Sequence, residues 1–368
     1  MSNRFVLYRD LTVSIGMLLL AASSATAQYK IVLRSLEEVE ANSFDFDDQQ
    51  ISTDDGRHYY WDQVFSGEVA PNQQAEFEQQ LRDIGMPLFR IRHRMLIQDF
   101  RSLQIAKPLN RKFSGIKATR ENCRTKFIIS LVTFCHAHGE SKRQQAMIPL
   151  FEMARLIKSF PVLKSEKLPK GLTVGEIEQC LTSMLVPIWF DQQNASSTLA
   201  QTRTRFETLL EDWSDGELIY LASLGIAAKD EFGMNCLAEL GNRSSTIVKS
   251  WRPILLAYQE SYETRPGQHI DALKRKAENW NGPQRAVAQY LLGRASGTFD
   301  KRFDAGILQL LFIPANYGEQ LPHLSAASLF EAAELAQQAG NVAEAELLKS
   351  ELRNSYPYSQ HAKRLPSN

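Results

Sequence analysis

The sequence lacks a net charge and lacks long apolar runs. It contains 42 lysine and arginine residues against 42 aspartate and glutamate residues, so its formal charge at pH 7 is zero. A neutral chain has no long-range positive field to gather phosphate backbones, and nucleic-acid binding is therefore not expected. No apolar run reaches the roughly 18 residues that a membrane-spanning helix requires. Its 368 residues are 43% hydrophobic and 23% charged, which is typical of a globular protein.

Cysteine is scarce, and no two cysteines form a CxxC pair. Zinc fingers are thereby excluded. A chain of this length can bury a large core without disulfides, so buried free thiols and disulfides both remain open. The four cysteines are Cys123, Cys135, Cys180 and Cys236. The Walker A, GxGxxG and GxSxG motifs are also absent, and we expect no enzymatic activity, no cofactor and no bound metal.

Residues 1–27 have the three parts of a secretory signal peptide. Arg4 and Arg9 supply the positive charge, residues 11–22 are mostly apolar, and Ala-Thr-Ala at 25–27 is a small-x-small cleavage site. The apolar part is too short to favour an uncleaved membrane anchor. We therefore expect cleavage at this site and a periplasmic or secreted protein without a transmembrane span.

Residues 28–70 alternate apolar and polar positions as short strands do. One such run covers residues 29–34, Phe44 and Phe46 form a second, and Ile51 lies in a third. An Asp-Asp-Gly turn at 54–56 precedes a further run at residues 58–61. Three or four strands are expected here. The segment resembles a small SH3-like or Sm-like β meander, and it is too short to form a sufficient core alone, so it should pack against the chain that comes after it.

Residues 72–362 show the period of helices and almost no strand signal. Leu88, Ile91 and Met95, for example, share one helical face. Helix starts are expected beside polar residues such as Asp215 and Asn341 and at Pro283, while Pro253 should kink or split its helix. The predicted fold is mainly α, with many helices joined by short loops.

Two segments near the C-terminus align at an offset of 40 residues. Each has a small residue followed twelve positions later by alanine, Gly293 with Ala305 and Ala333 with Ala345. This step resembles the tetratricopeptide repeat (TPR), in which these two small residues let a pair of helices pack closely. The clearest units are residues 283–322 and 323–360. The chain as a whole resembles uncharacterised exported proteins of Planctomycetes-type bacteria, and that resemblance carries no catalytic residues.

The TPR resemblance implies an α-solenoid of antiparallel helix pairs, whose concave groove binds an extended or helical peptide. We therefore expect a non-enzymatic protein-interaction scaffold with a protein or peptide partner. In the first unit, polar residues interleaved with packing residues are the candidate partner-binding positions, namely Arg285, Gln289 and Arg294. Ser328, Glu331 and Glu334 are the corresponding positions in the second unit.

Two alternative functions remain. A metal-assisted hydrolase would use His136 and His138, although residues two apart on a helix point in opposite directions and could share an ion only past the helix end. A binder of an anionic envelope polymer would use Arg90, Arg92 and Arg94. Arginine stems packed on neighbouring side chains are the commoner explanation of such a run.

Overall fold

The computed structural model describes residues 29–366 except residues 114, 141 and 263–266, so the predicted signal peptide lies outside the described residues. The described chain forms two compact units that divide between Arg92 and His93. It is mainly helical, with a small antiparallel β region at its N-terminal end, as expected. Among the described helices, none combines the length and apolar character that crossing a membrane requires.

Among its described residues, the first unit contains six short strands in two antiparallel sheets, more strands than the alternation alone indicated. The strands are β1 (Tyr29–Leu33), β2 (Glu38–Ala41), β3 (Phe44–Phe46), β4 (Gln50–Thr53), β5 (His58–Tyr60) and β6 (Val64–Glu68). One sheet has the order β2-β1-β6 and the other β3-β4-β5. Within the first sheet, Ile31 pairs with Val39 on one side and with Gly67 on the other.

A helix completes the core of this unit. After the strands come α1 (Gln74–Gln80), a π-helical turn (Leu81–Gly85) and α2 (Met86–Leu96), which crosses the unit boundary. Phe77 of α1 is fully buried, and its ring centroid lies 5.5 Å from that of Trp61. The Trp61 indole N–H donates to the Asp47 carbonyl oxygen at 2.6 Å. The ring centroid of Phe77 also lies 6.0 Å from that of Phe46 in β3, so the strands do pack against a helix that comes after them.

Within the described residues of the second unit, every regular element is a helix. Its first helices are α3 (Lys107–Phe113), α4 (Cys123–Gly139), α5 (Arg143–Ser159), α6 (Val174–Glu178) and α7 (Gln192–Phe206). Next come α8 (Asp215–Ala228), α9 (Glu231–Glu239), α10 (Thr246–Glu260) and α11 (Gln268–Lys276). The last are α12 (Gly282–Thr298), α13 (Phe303–Tyr317), α14 (Pro322–Gln338), α15 (Val342–Ser355) and α16 (Gln360–Arg364).

Several helix ends follow the local chemistry of their residues. Ser214 caps α8, since its hydroxyl accepts from the Glu217 N–H while the Glu217 carboxylate accepts from the Ser214 N–H at 2.9 Å. Asp215 and Asn341 lie at helix starts as predicted. Pro253 is contained within α10, so it does not split that helix.

Consecutive helices pack on one another along the second unit. α4 packs on α5, and both α5 and α8 pack on α7. From α8 onward, every second helix contacts the next one in the series: α8 contacts α10, α10 contacts α12, and α12 contacts α14. The intervening helices α11 and α13 each contact the helix before and the helix after them. The four cysteines are free and buried.

Glycines make the closest helix crossings. A Cβ added to Gly225 of α8 would lie 2.2 Å from the Cα of Gly233 on α9, so neither position has room for a side chain. In the first TPR-like unit, a Cβ on Gly306 would lie 2.8 Å from the Gly293 carbonyl oxygen. The close crossing expected between Gly293 and Ala305 is thus made by the next residue, Gly306, and Ala305 itself is half-buried.

Candidate functional site

The three residues predicted to bind a partner lie on α12 and are half-buried. Arg294 is paired within the fold, because its Nε lies 3.6 Å from the Glu331 Oε1 of α14. The Arg285 guanidinium lies over the ring of Phe312 at 5.3 Å from its centroid. Arg294 and Glu331, predicted as groove positions in two separate units, are therefore brought together as an ion pair between two helices.

The expectation that Ser328 faces solvent is wrong. Its side chain has no exposed surface, since it lies on the face of α14 that carries the buried residues Leu324, Ala332 and Leu335. Its hydroxyl has no hydrogen-bond partner among the described residues. Serine is small enough to be buried between helices. A serine in a helical sequence pattern therefore does not show whether its position is buried or exposed to solvent.

The two histidines of the metal hypothesis have separate surroundings. Both belong to α4, where the Nδ1 of His136 lies 3.1 Å from the Phe100 carbonyl oxygen. The ring of His138 meets the ring of His323 edge to face, with centroids 5.4 Å apart. Within the part of the chain that the structure describes, no group of three or more histidine, cysteine or acidic residues is arranged to hold a metal ion.

The arginine run is largely engaged in ion pairs. Arg92 Nη1 lies 2.6 Å from the buried Asp62 carboxylate in the first unit. Arg94 Nη1 lies 2.7 Å from Asp99 in the second unit. Arg90 is exposed. Two of the three guanidinium groups are thus already neutralised by carboxylates, which weakens the case for a polymer-binding patch.

A different feature of the second unit has the size of a ligand site. This cavity, which we call the cleft, has a volume of about 500 Å³ and is formed by α3, α4, α5, α7 and the chain beside them. Ligand pockets in proteins typically measure about 300 to 1,000 Å³. Its apolar walls are Phe113, Ile129, Leu156, Phe160 and Phe206. Its charged lining residues are Lys117, Lys126, Glu152, Arg155 and Arg205.

Glu152 is the single carboxylate among these described lining residues, and its two oxygens are already engaged. Arg205 donates to Oε1 through Nε at 3.1 Å and through Nη2 at 2.8 Å. The Ser130 hydroxyl donates to Oε2 at 2.9 Å. Glu152 therefore pairs with Arg205, and its single negative charge cannot also neutralise both lysines of the cleft.

Arg155 is held as a rigid part of the wall. Its Nε donates to the buried Glu217 carboxylate at 2.8 Å. Its guanidinium also lies over the rings of Phe206 and Trp213, at 4.4 Å and 4.8 Å from their centroids. Stacking of this kind fixes the plane of a guanidinium and lowers the entropy lost when it binds a ligand.

The two lysines of the cleft have no carboxylate within ion-pair distance among the described residues. Lys126 Nζ donates to the carbonyl oxygens of Phe113 and Ile116, which leaves one of its three N–H groups. Burial lowers the pKa of Lys126, with the charge of Glu152 opposing this effect. Lys117 is exposed at the rim. The cleft thus combines apolar walls with two positive charges that the fold leaves available to an anion.

Part of this site was visible in the sequence as helical spacing. Lys126, Ile129 and Ser130 on α4, and Glu152, Arg155 and Leu156 on α5, follow the three- and four-residue steps of one helical face. The contact of these faces with Arg205 and Phe206 of α7 had no sequence signal, because it depends on how three helices pack.

The chain matches no protein-family model, no curated protein and no solved structure.

Proposed function

We propose that this protein is an exported, non-enzymatic interaction scaffold and that its helical unit binds an acidic, partly apolar peptide segment in the cleft. The observation that carries the proposal is the pair of lysines, Lys117 and Lys126, left without carboxylates beside an apolar wall. A carboxylate would satisfy the remaining Lys126 N–H, and adjacent apolar side chains would cover the partly exposed rings of Phe160 and Phe206.

The order of helix contacts supports the scaffold part of this proposal. In a repeat stack, each helix pair contacts the pair before and the pair after it. The series α8, α10, α12 and α14, with α11 and α13 packed between its members, has contacts of this kind. The helices α12 and α13 nearly coincide with the first TPR-like unit, and α14 and α15 with the second. We infer an α-solenoid of TPR-like pairs on this basis.

Export rests on the sequence of residues 1–27 alone. A charged start, a short apolar segment and a small-x-small site together are the pattern of a cleaved signal. Mass spectrometry of the protein from its native host would show a mature chain starting at Gln28. An intact Met1 or Ser2 terminus would contradict export by this route.

Selection from a displayed library of random peptides tests the binding proposal. The wild-type protein should enrich sequences with aspartate or glutamate next to aromatic or aliphatic residues. The variant Lys117→Met, Lys126→Met removes both positive charges and keeps side chains of similar length. It should bind the selected peptides at least about tenfold more weakly, because a hydrogen bond to a charged group contributes about 1.5 to 3 kcal/mol. Raising the salt concentration should weaken the wild type more than this variant.

A matched control tests whether peptide binding depends on the lysines of the cleft or on positive charge elsewhere on the surface. The variant Lys249→Met, Lys363→Met removes two exposed lysines outside the cleft and should bind like the wild type. Equal binding by the cleft variant and this control would show that the cleft is not the site. Failure of the library to yield any binder would refute the proposal of peptide binding itself.

A further inference from the structure

Arg143, the first residue of α5, is a buried cation with an unusual set of partners. Its side chain donates to the carbonyl oxygens of Ile188 at 3.1 Å and of Val186 at 2.6 Å. The guanidinium also lies over the Trp189 ring, 5.3 Å from its centroid. Its Nε has no hydrogen-bond partner among the described residues. The Arg143 guanidinium has five N–H donors, and the two carbonyl oxygens accept hydrogen bonds from only some of them.

Acidic groups do not neutralise this charge. No described carboxylate lies within ion-pair distance of Arg143, whereas Arg124 on the neighbouring helix α4, also buried, pairs with Glu166. The phenols of Tyr220 and Tyr258 interact with Arg143 electrostatically, but burial raises the pKa of each well above its ordinary value, so both are neutral. A buried charge is normally paired or bound to a counter-ion, because leaving it alone is costly.

A small cavity lies beside the guanidinium. It measures about 20 Å³, and Arg143, Gln144, Trp189, His323, Ser359 and His361 are among its lining residues. A cavity of at least about 10 to 15 Å³ holds one water molecule, so this one has room for a single water or a single monoatomic anion. Gln144 and the imidazoles can each contribute an N–H donor, while the nearby aromatic faces exclude bulk water.

We propose that this cavity binds one chloride ion as the counter-ion of Arg143. The ion would accept hydrogen bonds from N–H groups of Arg143 that the two carbonyl oxygens do not occupy, and it would balance the buried positive charge. Carboxylate and sulfate are too large for the cavity, so the site selects a halide over polyatomic anions. This inference is independent of peptide binding in the cleft.

Thermal unfolding in different sodium salts at equal ionic strength tests the proposal. The midpoint should rise saturably with chloride or bromide and should not rise with gluconate, which is too large for the cavity. The variant Arg143→Met should lose this halide response. The control variant Arg124→Met removes a buried arginine that already has a carboxylate partner, so it should unfold at lower temperature but keep the response.

Bromide in crystals of the wild-type protein gives a second test that needs no variant. Anomalous scattering should show a bromide beside the Arg143 guanidinium. Equal unfolding midpoints in chloride and gluconate, or anomalous peaks confined to surface sites, would show that the cavity holds water and would overturn the proposal. The crystal result decides the question even if Arg143→Met fails to fold.

Discussion

The ring of His138 on α4 meets the ring of His323 in the first turn of α14, with their centroids 5.4 Å apart. His361 of α16 lines the same small cavity as His323 and packs on the rings of Phe190 and Phe330. Burial, reinforced by the charge of Arg143, lowers the pKa of His138 to about 4 and that of His323 well below its ordinary value. Helices far apart in sequence are thus joined through histidines that are neutral in the folded state.

Acid should destabilise the protein through these histidines. Burial, with the charges of Arg364 and Arg143, also lowers the pKa of His361 to about 4 from an ordinary 6.5. The unfolded chain then takes up protons before the folded chain does, so this stability is complete above about pH 6.5 and is lost as the pH falls to about 4. One pKa unit corresponds to about 1.4 kcal/mol, so His138 and His361 can each account for up to about 3 kcal/mol.

Denaturant unfolding measured between pH 7 and pH 4 checks this expectation. The variant His138→Phe, His361→Phe keeps aromatic rings in place and should show a flatter loss of unfolding free energy than the wild type. The variant His58→Gln changes an exposed histidine of the first unit and should retain the wild-type loss. If the unfolding free energy of the wild type and of the double variant fell equally as the pH was lowered, the loss would not arise from His138 and His361.

Gly306→Ala should cost about 1 to 3 kcal/mol of unfolding free energy by overpacking. The new Cβ would lie 2.8 Å from the Gly293 carbonyl oxygen and 2.9 Å from the Gly297 nitrogen, and backbone atoms cannot move aside cheaply. Gly175→Ala in α6 is the matched control, since its Cβ would meet nothing within 4 Å. Thermal denaturation should find the control unchanged or stabilised by up to about 1 kcal/mol. An unchanged unfolding free energy for Gly306→Ala would contradict the close crossing of α12 and α13.

Ser328→Ala should stabilise the protein by about 1 kcal/mol. The substitution removes a buried hydroxyl that has no partner among the described residues, and such a group carries an uncompensated desolvation cost. Ser223→Ala provides the contrast, because the Ser223 hydroxyl accepts from the Trp189 indole N–H at 2.7 Å. Chemical denaturation should show Ser223→Ala to be destabilised, and a loss of similar size for Ser328→Ala would mean that its hydroxyl does have a partner.

The ion pair between Arg294 and Glu331 should contribute to stability and not to partner binding. A double-mutant cycle with Arg294→Ala and Glu331→Ala should give a coupling of about 0.5 to 1 kcal/mol, as expected for a pair that water partly screens. Peptides selected on the wild type should bind Arg294→Ala with unchanged affinity. If Arg294→Ala lost peptide binding and the double-mutant cycle gave zero coupling energy, the partner-binding residues predicted on α12 would be favoured over the cleft as the peptide site.

Local patterns were sufficient to predict the helical class, the β segment at the N-terminal end and several helix starts. These features depend on interactions between residues a few positions apart, such as the capping of α8 by Ser214 and the alternation within β1. The number of strands was underestimated because β2 and β6 were not predicted. β2 has only four residues, and β6 has one buried residue and a glycine, so neither carries a strong alternating pattern.

Tertiary packing decided which polar residues remain available. Arg92 and Arg294 both resemble binding residues in a helical pattern, yet each finds a carboxylate supplied by another segment. Lys126, which no motif marks, is left without one beside apolar walls from several helices. Whether a charge is neutralised depends on side chains brought within a few ångströms by the fold, and spacing along one chain segment contains no information about a partner on another.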